Sequence, residues 1–316
     1  MSTLKPLLDG ARAGRARDIA RLISLVENGS PDVPEVMREL ASSAGSARVI
    51  GITGSPGVGK STTTSAIITR FRADGKRVGV LAVDPSSPFS GGALLGDRIR
   101  MQQHATDEGV YIRSMASRGH LGGLSATTPQ ALRVLDAAGF DVILIETVGV
   151  GQSEIEVAAS ADTTLVLLAP GMGDGIQAAK AGILEIGDVF AVNKADRDGA
   201  DSTVRELRNM VGLGERSPDT WSPKVVKTIA STGEGIDDLM AALAAHADWL
   251  SESGRLEARR TKRAREEIEA IAMAMVRREL TSGNRRAALD DAAAEVATGR
   301  TDGYTAAARL VDELRD

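Results

Sequence analysis

The chain of 316 residues contains no cysteine, which excludes disulfides and thiolate-held metals. Its three histidines, His104, His120 and His246, share no spacing and read as non-ligands. Apolar runs long enough to cross a bilayer are missing, and so is an N-terminal charged-then-apolar leader. A long basic tract is missing too: 38 Lys and Arg stand against 43 Asp and Glu, a net charge of −5. Neither nucleic acid nor an anionic membrane is therefore an expected partner, although basic residues cluster locally between Arg255 and Arg265. These absences point to a cytoplasmic protein. The chain does have 42% apolar residues, over a length that can bury a substantial core as one large domain with helical appendages.

Within Leu4 to Ser43, apolar positions Ile19, Leu22, Ile23 and Val26 recur at helical spacing, interrupted by Gly29-Ser30-Pro31. They predict two or three helices ahead of the core, a helical extension over residues 1–45. From Arg48 onward, β-rich apolar runs alternate with helical segments: Val49–Thr53, Arg77–Val83, Val110–Ser114, Asp141–Ile145, Thr163–Leu168, Asp188–Asn193 and Lys224–Ile229. Such runs predict an α/β fold, a mostly parallel sheet covered by helices on both faces, spanning residues 46–250. Ligands of such sheets sit beyond the carboxyl ends of the strands. After Gly235 one helix runs to Trp249 and a longer one from about Glu252 to Leu280, within a helical region over 251–316. The second half of the long helix places Ile268, Ile271, Ala272, Met275, Val276 and Leu280 on one stripe. That stripe needs a partner surface, and a dimer arm is preferred to docking back on the chain's own domain.

The sequence Gly54-Ser55-Pro56-Gly57-Val58-Gly59-Lys60-Ser61 satisfies GxxxxGK[ST] and directly follows the first apolar run, with Thr62 next in line. In that context the glycines let backbone N–H groups turn onto the α and β phosphates of a nucleoside triphosphate. Lys60 reaches the β and γ phosphates, and Ser61 can place its hydroxyl on Mg²⁺. Downstream, Asn193-Lys194-Ala195-Asp196 ends another apolar run. Asp196 there can accept both the N1–H and the exocyclic amine of guanine, a fork that adenine cannot satisfy. Ser231-Thr232-Gly233-Glu234 follows the last run as a turn that would close over the base. Three acids fall where metal and attacking water would be handled: Asp84 and Glu146 at strand ends, and Asp97 in a following loop. Glu146-Thr147-Val148-Gly149 resembles a DxxG switch with Glu for Asp, in which Gly149 offers its N–H to the γ phosphate and hydrolysis releases the segment through Gln152. The run Pro170 to Gly175 reads as a mobile loop after a core strand.

Taken in order, the phosphate loop, Leu81–Pro88 (LAVDPSSP), Gly96–Met101 (GDRIRM), Glu146–Glu154 (ETVGVGQSE) and Asn193–Asp196 (NKAD) resemble the MeaB/ArgK family of methylmalonyl-CoA mutase-associated GTPases over nearly the whole chain. The resemblance implies the fold of metal- and cofactor-chaperone GTPases, related to the nickel-insertion proteins, as a homodimer with C-terminal arms. It implies GTP and GDP with Mg²⁺ as ligands, with GTP hydrolysis gating adenosylcobalamin delivery to an acyl-CoA mutase and protecting that mutase. By the same resemblance, Lys60 and the loop amides go to phosphates, and Ser61, Asp84, Asp97 and Glu146 to the magnesium and switch region. Asn193, Lys194 and Asp196 go to guanine, and Asp174, Gln177 and Lys180 to an additional switch facing the mutase. Val150 stands where a glutamine would follow Gly149, which fits a slow GTPase accelerated by its partner. Three rivals stand beside this reading: a nickel-type metal-insertion GTPase, opposed by the lack of cysteine; an ATP-dependent kinase, opposed by NKAD; and a nucleotide-sensing scaffold. Replacing Asp196 by Asn is expected to relax the preference for GTP over ATP in a competition binding assay, and an undiminished preference would remove the guanine assignment.

Overall fold

In the computed structural model, residues 4–43, 45–84, 101–116, 127–147, 159–171, 184–212 and 220–313 are described. Each of the seven apolar runs forms a strand: β1 (Arg48–Thr53), β2 (Val78–Asp84), β3 (Val110–Ala116), β4 (Val142–Thr147), β5 (Thr163–Leu168), β6 (Val189–Asn193) and β7 (Lys224–Thr228). They make one sheet in the order β3-β2-β4-β1-β5-β6-β7, with every neighbouring pair parallel. Strands β4 to β6 are buried at every position, the pattern of a sheet covered on both faces. The strand order reverses at β1, with β2 to β4 on one side and β5 to β7 on the other. The carboxyl end of β1 is thus the switch point where a crevice opens.

Helices α1 (Leu4–Arg12), α2 (Ala16–Glu27) and α3 (Val33–Leu40) precede the sheet. Their apolar stripes, including Leu8, Ile19, Leu22 and Ile23, pack with α5 (Thr128–Ala137) and with Leu81, Met115 and Ile143 of the strands. On the opposite face, α4 (Lys60–Ala73) and α7 (Ile236–Glu252) set Ile67, Ile68, Leu239 and Leu243 against Ile50, Ile52, Leu144 and Leu165. Helix α6 (Ala200–Gly212) covers β5 and β6 through Val204 and Leu207.

Helix α7 runs three residues past Trp249, and α8 (Arg255–Leu280) begins after Gly254. Gly254 holds φ +68°, a left-handed cap that stops α7 and shifts the start of α8 from the expected Glu252. Two compact units divide at residues 259 and 260. The second contains the rest of α8 with α9 (Gly283–Ala297) and α10 (Gly303–Asp312), and its buried apolar residues are Ala292, Ala306 and Leu310. No described residue of α8 is buried, and its expected stripe lies open, with Ile268 67% and Met275 65% exposed.

At the amino ends of the central strands lies a polar cluster absent from the sequence reading. The Asp162 carboxylate accepts from Val49 N–H at 3.0 Å, and the Asp188 carboxylate accepts from Thr164 N–H at 2.9 Å. Arg259, in the first turns of α8, donates to both Asp188 oxygens at 3.0 and 2.9 Å and to the Asp162 carbonyl at 2.8 Å. Fully buried His246 sits 3.2 Å from Asp188 Oδ1 through Nε2 and 2.9 Å from Thr163 Oγ1 through Nδ1.

Burial alone would raise the pKa of Asp188, but the hydrogen bonds from His246 and Arg259 outweigh it and hold the carboxyl below its ordinary range. The folded pKa thus lies below the unfolded one. The stabilisation is complete above about pH 4, the unfolded carboxylate value, and disappears as pH falls through the depressed folded value. Asp188 is 10% exposed but Arg259 is 38% exposed, so the pair lies between a surface bridge and a fully buried one. Asp188→Asn should therefore cost about 2–3 kcal/mol at neutral pH. Urea unfolding at several pH values checks it, with the gap between the two proteins narrowing below about pH 4.

Candidate functional site

The segment leaving β1 is shaped by two glycines. Gly54 holds φ +142°, and a Cβ there would lie 2.3 Å from the backbone oxygen of Leu167. Gly59 caps α4 at φ +96°, and a Cβ there would lie 2.3 Å from Asn193 Nδ2. Between them Val58 is 1% exposed and belongs to the main core, so the middle of the loop is anchored by burial while Pro56 and Gly57 face outward. The loop delivers the chain into the amino end of α4, where the helix dipole favours an anion. Lys60, 8% exposed, folds its Nζ onto the carbonyls of Gly54 at 2.6 Å and Ser55 at 3.1 Å. Thr62 faces solvent on the first turn of α4.

Beside this loop, Ser61 Oγ donates to Glu146 Oε1 at 2.8 Å, with both residues buried. The contact follows from the register: Ile52 of β1 pairs with Glu146 of β4, so the carboxylate stands next to the strand that feeds the loop. Across β2, Ala82 pairs with the same Glu146, which sets Asp84 at the carboxyl end of β2 on the same edge of the sheet. An alcohol and a carboxylate oxygen are hard donors of the kind that Mg²⁺ takes. Among the described residues no group of three or more His, Cys, Asp or Glu could hold a metal ion by itself. Asp97, Gly149, Gln152, Asp174, Gln177 and Lys180 lie outside the described residues.

On the other side of the loop, the sequence sets Asn193 toward guanine, and the structure gives its side chain a different set of contacts. Asn193 is 3% exposed; its Nδ2 donates to the Val58 carbonyl at 2.8 Å, and its Oδ1 accepts from Ala230 N–H at 3.0 Å and Thr228 Oγ1 at 3.3 Å. It ties the phosphate loop to the turn after β7. Lys194 follows at φ +57°, rare outside glycine, and donates from Nζ to the Gly57 carbonyl at 2.6 Å. Asp196 is exposed beyond them. The turn Ser231 to Glu234 is likewise exposed, closed by Ile229 N–H to the Glu234 carbonyl at 2.9 Å and by the N–H groups of Thr232 and Gly233 on the Ile229 carbonyl. Asp196 and the turn are thus both exposed just beyond the carboxyl ends of β6 and β7, with the phosphate loop held to β4 through Ser61 and to β6 through Asn193.

The roles of Val58, Thr228 and Ala230 as partners of Asn193 carry no sequence signal, because they join positions 35 to 135 residues apart. His104 is buried against α4, its Nε2 2.9 Å from Ser65 Oγ; burial pushes its pKa down, against a backbone contact with Ser65. Asn193→Ala leaves a buried carbonyl and a buried N–H without their partner. It should destabilise the protein by about 2–4 kcal/mol and weaken nucleotide binding. Thermal unfolding with calorimetric titration of GTP checks both, and unchanged affinity would make the tie irrelevant to the site.

Comparison with known proteins supplies the identity of this arrangement. A family model described as methylmalonyl-CoA mutase-associated GTPase MeaB matches residues 19–285. A Pyrococcus abyssi protein assigned as a GTPase is 44% identical over 310 residues, covering 98% of this chain and 96% of its own length. The GTPase ArgK of Escherichia coli is 37% identical over 264 residues, covering 81% of this chain and 80% of its own. A crystal structure titled LAO/AO transport system kinase superposes with a TM-score of 0.73 at 26% identity, covering 99% of this chain and 98% of that one. The phosphate loop, the Glu146 edge and the NKAD turn therefore sit in a GTPase, and the chain belongs to the MeaB family of methylmalonyl-CoA mutase-associated GTPases.

Proposed function

We propose that this protein is a GTP-hydrolysing chaperone whose nucleotide state gates adenosylcobalamin delivery to methylmalonyl-CoA mutase, or a related acyl-CoA mutase, and protects that mutase. The observation that carries the reading is the tie of the phosphate loop to the NKAD turn through Asn193 and Lys194, at a crevice whose opposite wall is the Ser61–Glu146 pair. That geometry supports one nucleoside triphosphate lying across the carboxyl edge, phosphates at Lys60 and base at Asp196.

In this reading the amides of Gly54 to Ser61 and the Lys60 ammonium hold the phosphates, and Thr62 extends the set. Ser61 and Glu146, with Asp84 and Asp97, hold Mg²⁺. When bound, that ion neutralises charge on the β and γ phosphate oxygens. Asp196 reads the guanine edge, and the turn Ser231 to Glu234 closes over the base. Water is the acceptor, giving GDP and phosphate. Gly149 and Gln152 sense the γ phosphate, and Asp174, Gln177 and Lys180 carry that state to the mutase. With Val150 rather than glutamine after Gly149, basal turnover is slow and the partner accelerates it. The exposed row Ile268, Ile271, Met275 and Val276 supports a homodimer formed through the arm, in the cytoplasm.

Phosphate release from GTP and ATP, with and without an adenosylcobalamin-dependent methylmalonyl-CoA mutase of the same organism, tests the proposal. The expected result is GTP hydrolysis that the mutase accelerates and that Lys60→Ala abolishes. Turnover indifferent to the mutase would overturn the partnership while leaving the GTPase. Unchanged turnover in Lys60→Ala would overturn the assignment of the phosphate loop.

A further inference from the structure

The amino-end cluster and the nucleotide crevice occupy opposite ends of the same three adjacent strands. At the carboxyl ends, β1 feeds Gly54, β5 leads to Pro170, and β6 ends at Asn193. At the amino ends, the Asp162 carboxylate on Val49 N–H joins β1 to β5, and the Asp188 carboxylate on Thr164 N–H joins β5 to β6. Arg259 spans both joints, with Nη1 shared between the Asp162 carbonyl and Asp188 Oδ2 and Nη2 on Asp188 Oδ1. A guanidinium is planar and presents its donors in a fixed fork, so this contact sets the stagger of β5 against β6 more tightly than a point charge would. From Asp188 to Asn193 is roughly 16 Å of extended chain at about 3.3 Å per residue. Over that length a paired strand moves as a rod. A slide at Asp188 therefore reaches Asn193, where the Val58 carbonyl is held at 2.8 Å.

We propose that Arg259 is a positioning residue for the nucleotide site, acting through Asp188 and strands β5 and β6 and never touching the nucleotide. It also lies on α8, the helix whose later turns expose the apolar row, so the root of that helix and the nucleotide site bias one another. The proposal rests on the nucleotide-site reading above. Linkage makes the effect reciprocal: if Arg259 sets nucleotide affinity, bound nucleotide changes the cost of replacing Arg259 by the same free energy.

The chain offers a built-in reporter, because it has two tryptophans and both stand in this cluster. Trp221 donates from Nε1 to the Asp188 carbonyl at 2.7 Å with its ring 4.9 Å from that of His246, and Trp249 stacks on His246 at 5.7 Å. The experiment is calorimetric titration of the full-length protein with GDP and with a non-hydrolysable GTP analogue, read in parallel by tryptophan emission excited at the red edge. Wild type is expected to bind both nucleotides with a change in emission. Arg259→Gln is expected to bind at least about fivefold more weakly, at the lower end of allosteric couplings, and to lose the emission change, with Arg259→Lys recovering part of each. A purely structural role for Arg259 would lower the melting temperature and leave affinity and emission response unaltered, which would overturn the proposal. So would a nucleotide-induced rise in melting temperature as large in Arg259→Gln as in wild type. No calorimetric binding at all would instead remove the nucleotide-site reading, and this proposal with it.

Discussion

Strand β1 is paired in parallel on both sides, to β4 and to β5, and the placement of every candidate ligand group descends from that constraint. Pairing with β4 brings Glu146 level with Ile52, one strand from the loop that begins at Gly54. Pairing with β5 puts Leu167 against Gly54, so closely that only a glycine fits, and that glycine starts the turn which α4 completes. Because α4 begins directly beyond the loop that leaves β1, Ser61 on its first turn meets Glu146 of the adjoining strand β4 at 2.8 Å. The reversal of strand order at β1 leaves the space above it open, so the anion-favouring end of α4 faces a crevice and not a packed layer.

The second constraint is the Asn193 side chain. Its amide satisfies a carbonyl in the phosphate loop and an N–H and a hydroxyl beyond β7, three groups that burial would otherwise leave costly. The glycine at position 59 is the steric counterpart, since the Asn193 amide occupies the volume a side chain would need. In the proposed binding mode one nucleoside triphosphate spans the loop and the base turn, so fixing the two to each other before binding removes an ordering cost from the ligand. Lys194 reinforces the same join from its left-handed backbone, through Gly57.

Much of the fold was legible because buried parallel strands must be apolar almost throughout. Runs such as Val142 to Ile145 and Leu165 to Leu168 admit few other readings, and the phosphate loop and NKAD are local patterns fixed by local geometry. Contacts between strand ends were not legible. Nothing near Asp188 announces that it meets Arg259, 71 residues later, and Arg259 reads as one more cation in the cluster between Arg255 and Arg265. The cue that was present is weaker: Asp162 and Asp188 each stand immediately before an apolar strand, where an acid is buried unless a donor waits for it. His246 offers a similar cue, a titratable ring on the apolar face of α7 beside Leu243 and Leu250. The division of the chain near residue 259 has the same origin, because the contacts of Arg259 hold the first turn of α8 to the body that contains β5 and β6.

Beyond Arg260 the balance of forces changes. Three apolar side chains are buried among the described residues of that unit, Ala292, Ala306 and Leu310, two of them alanines with little surface to remove from water. Ordering each residue costs about 1–2 kcal/mol of backbone entropy, which so small a core does not offset. Local devices help, among them the Asp302 carboxylate on the N–H groups of Tyr304 and Thr305 and the Arg309–Glu295 bridge, but solvent screens such exposed contacts and leaves them weak. Helix α8 leaves Ile268, Ile271, Met275 and Val276 exposed along one stripe, and Met273 exposed off it. Covering them would remove apolar surface from water, and that gain is the physical basis of the proposed homodimer.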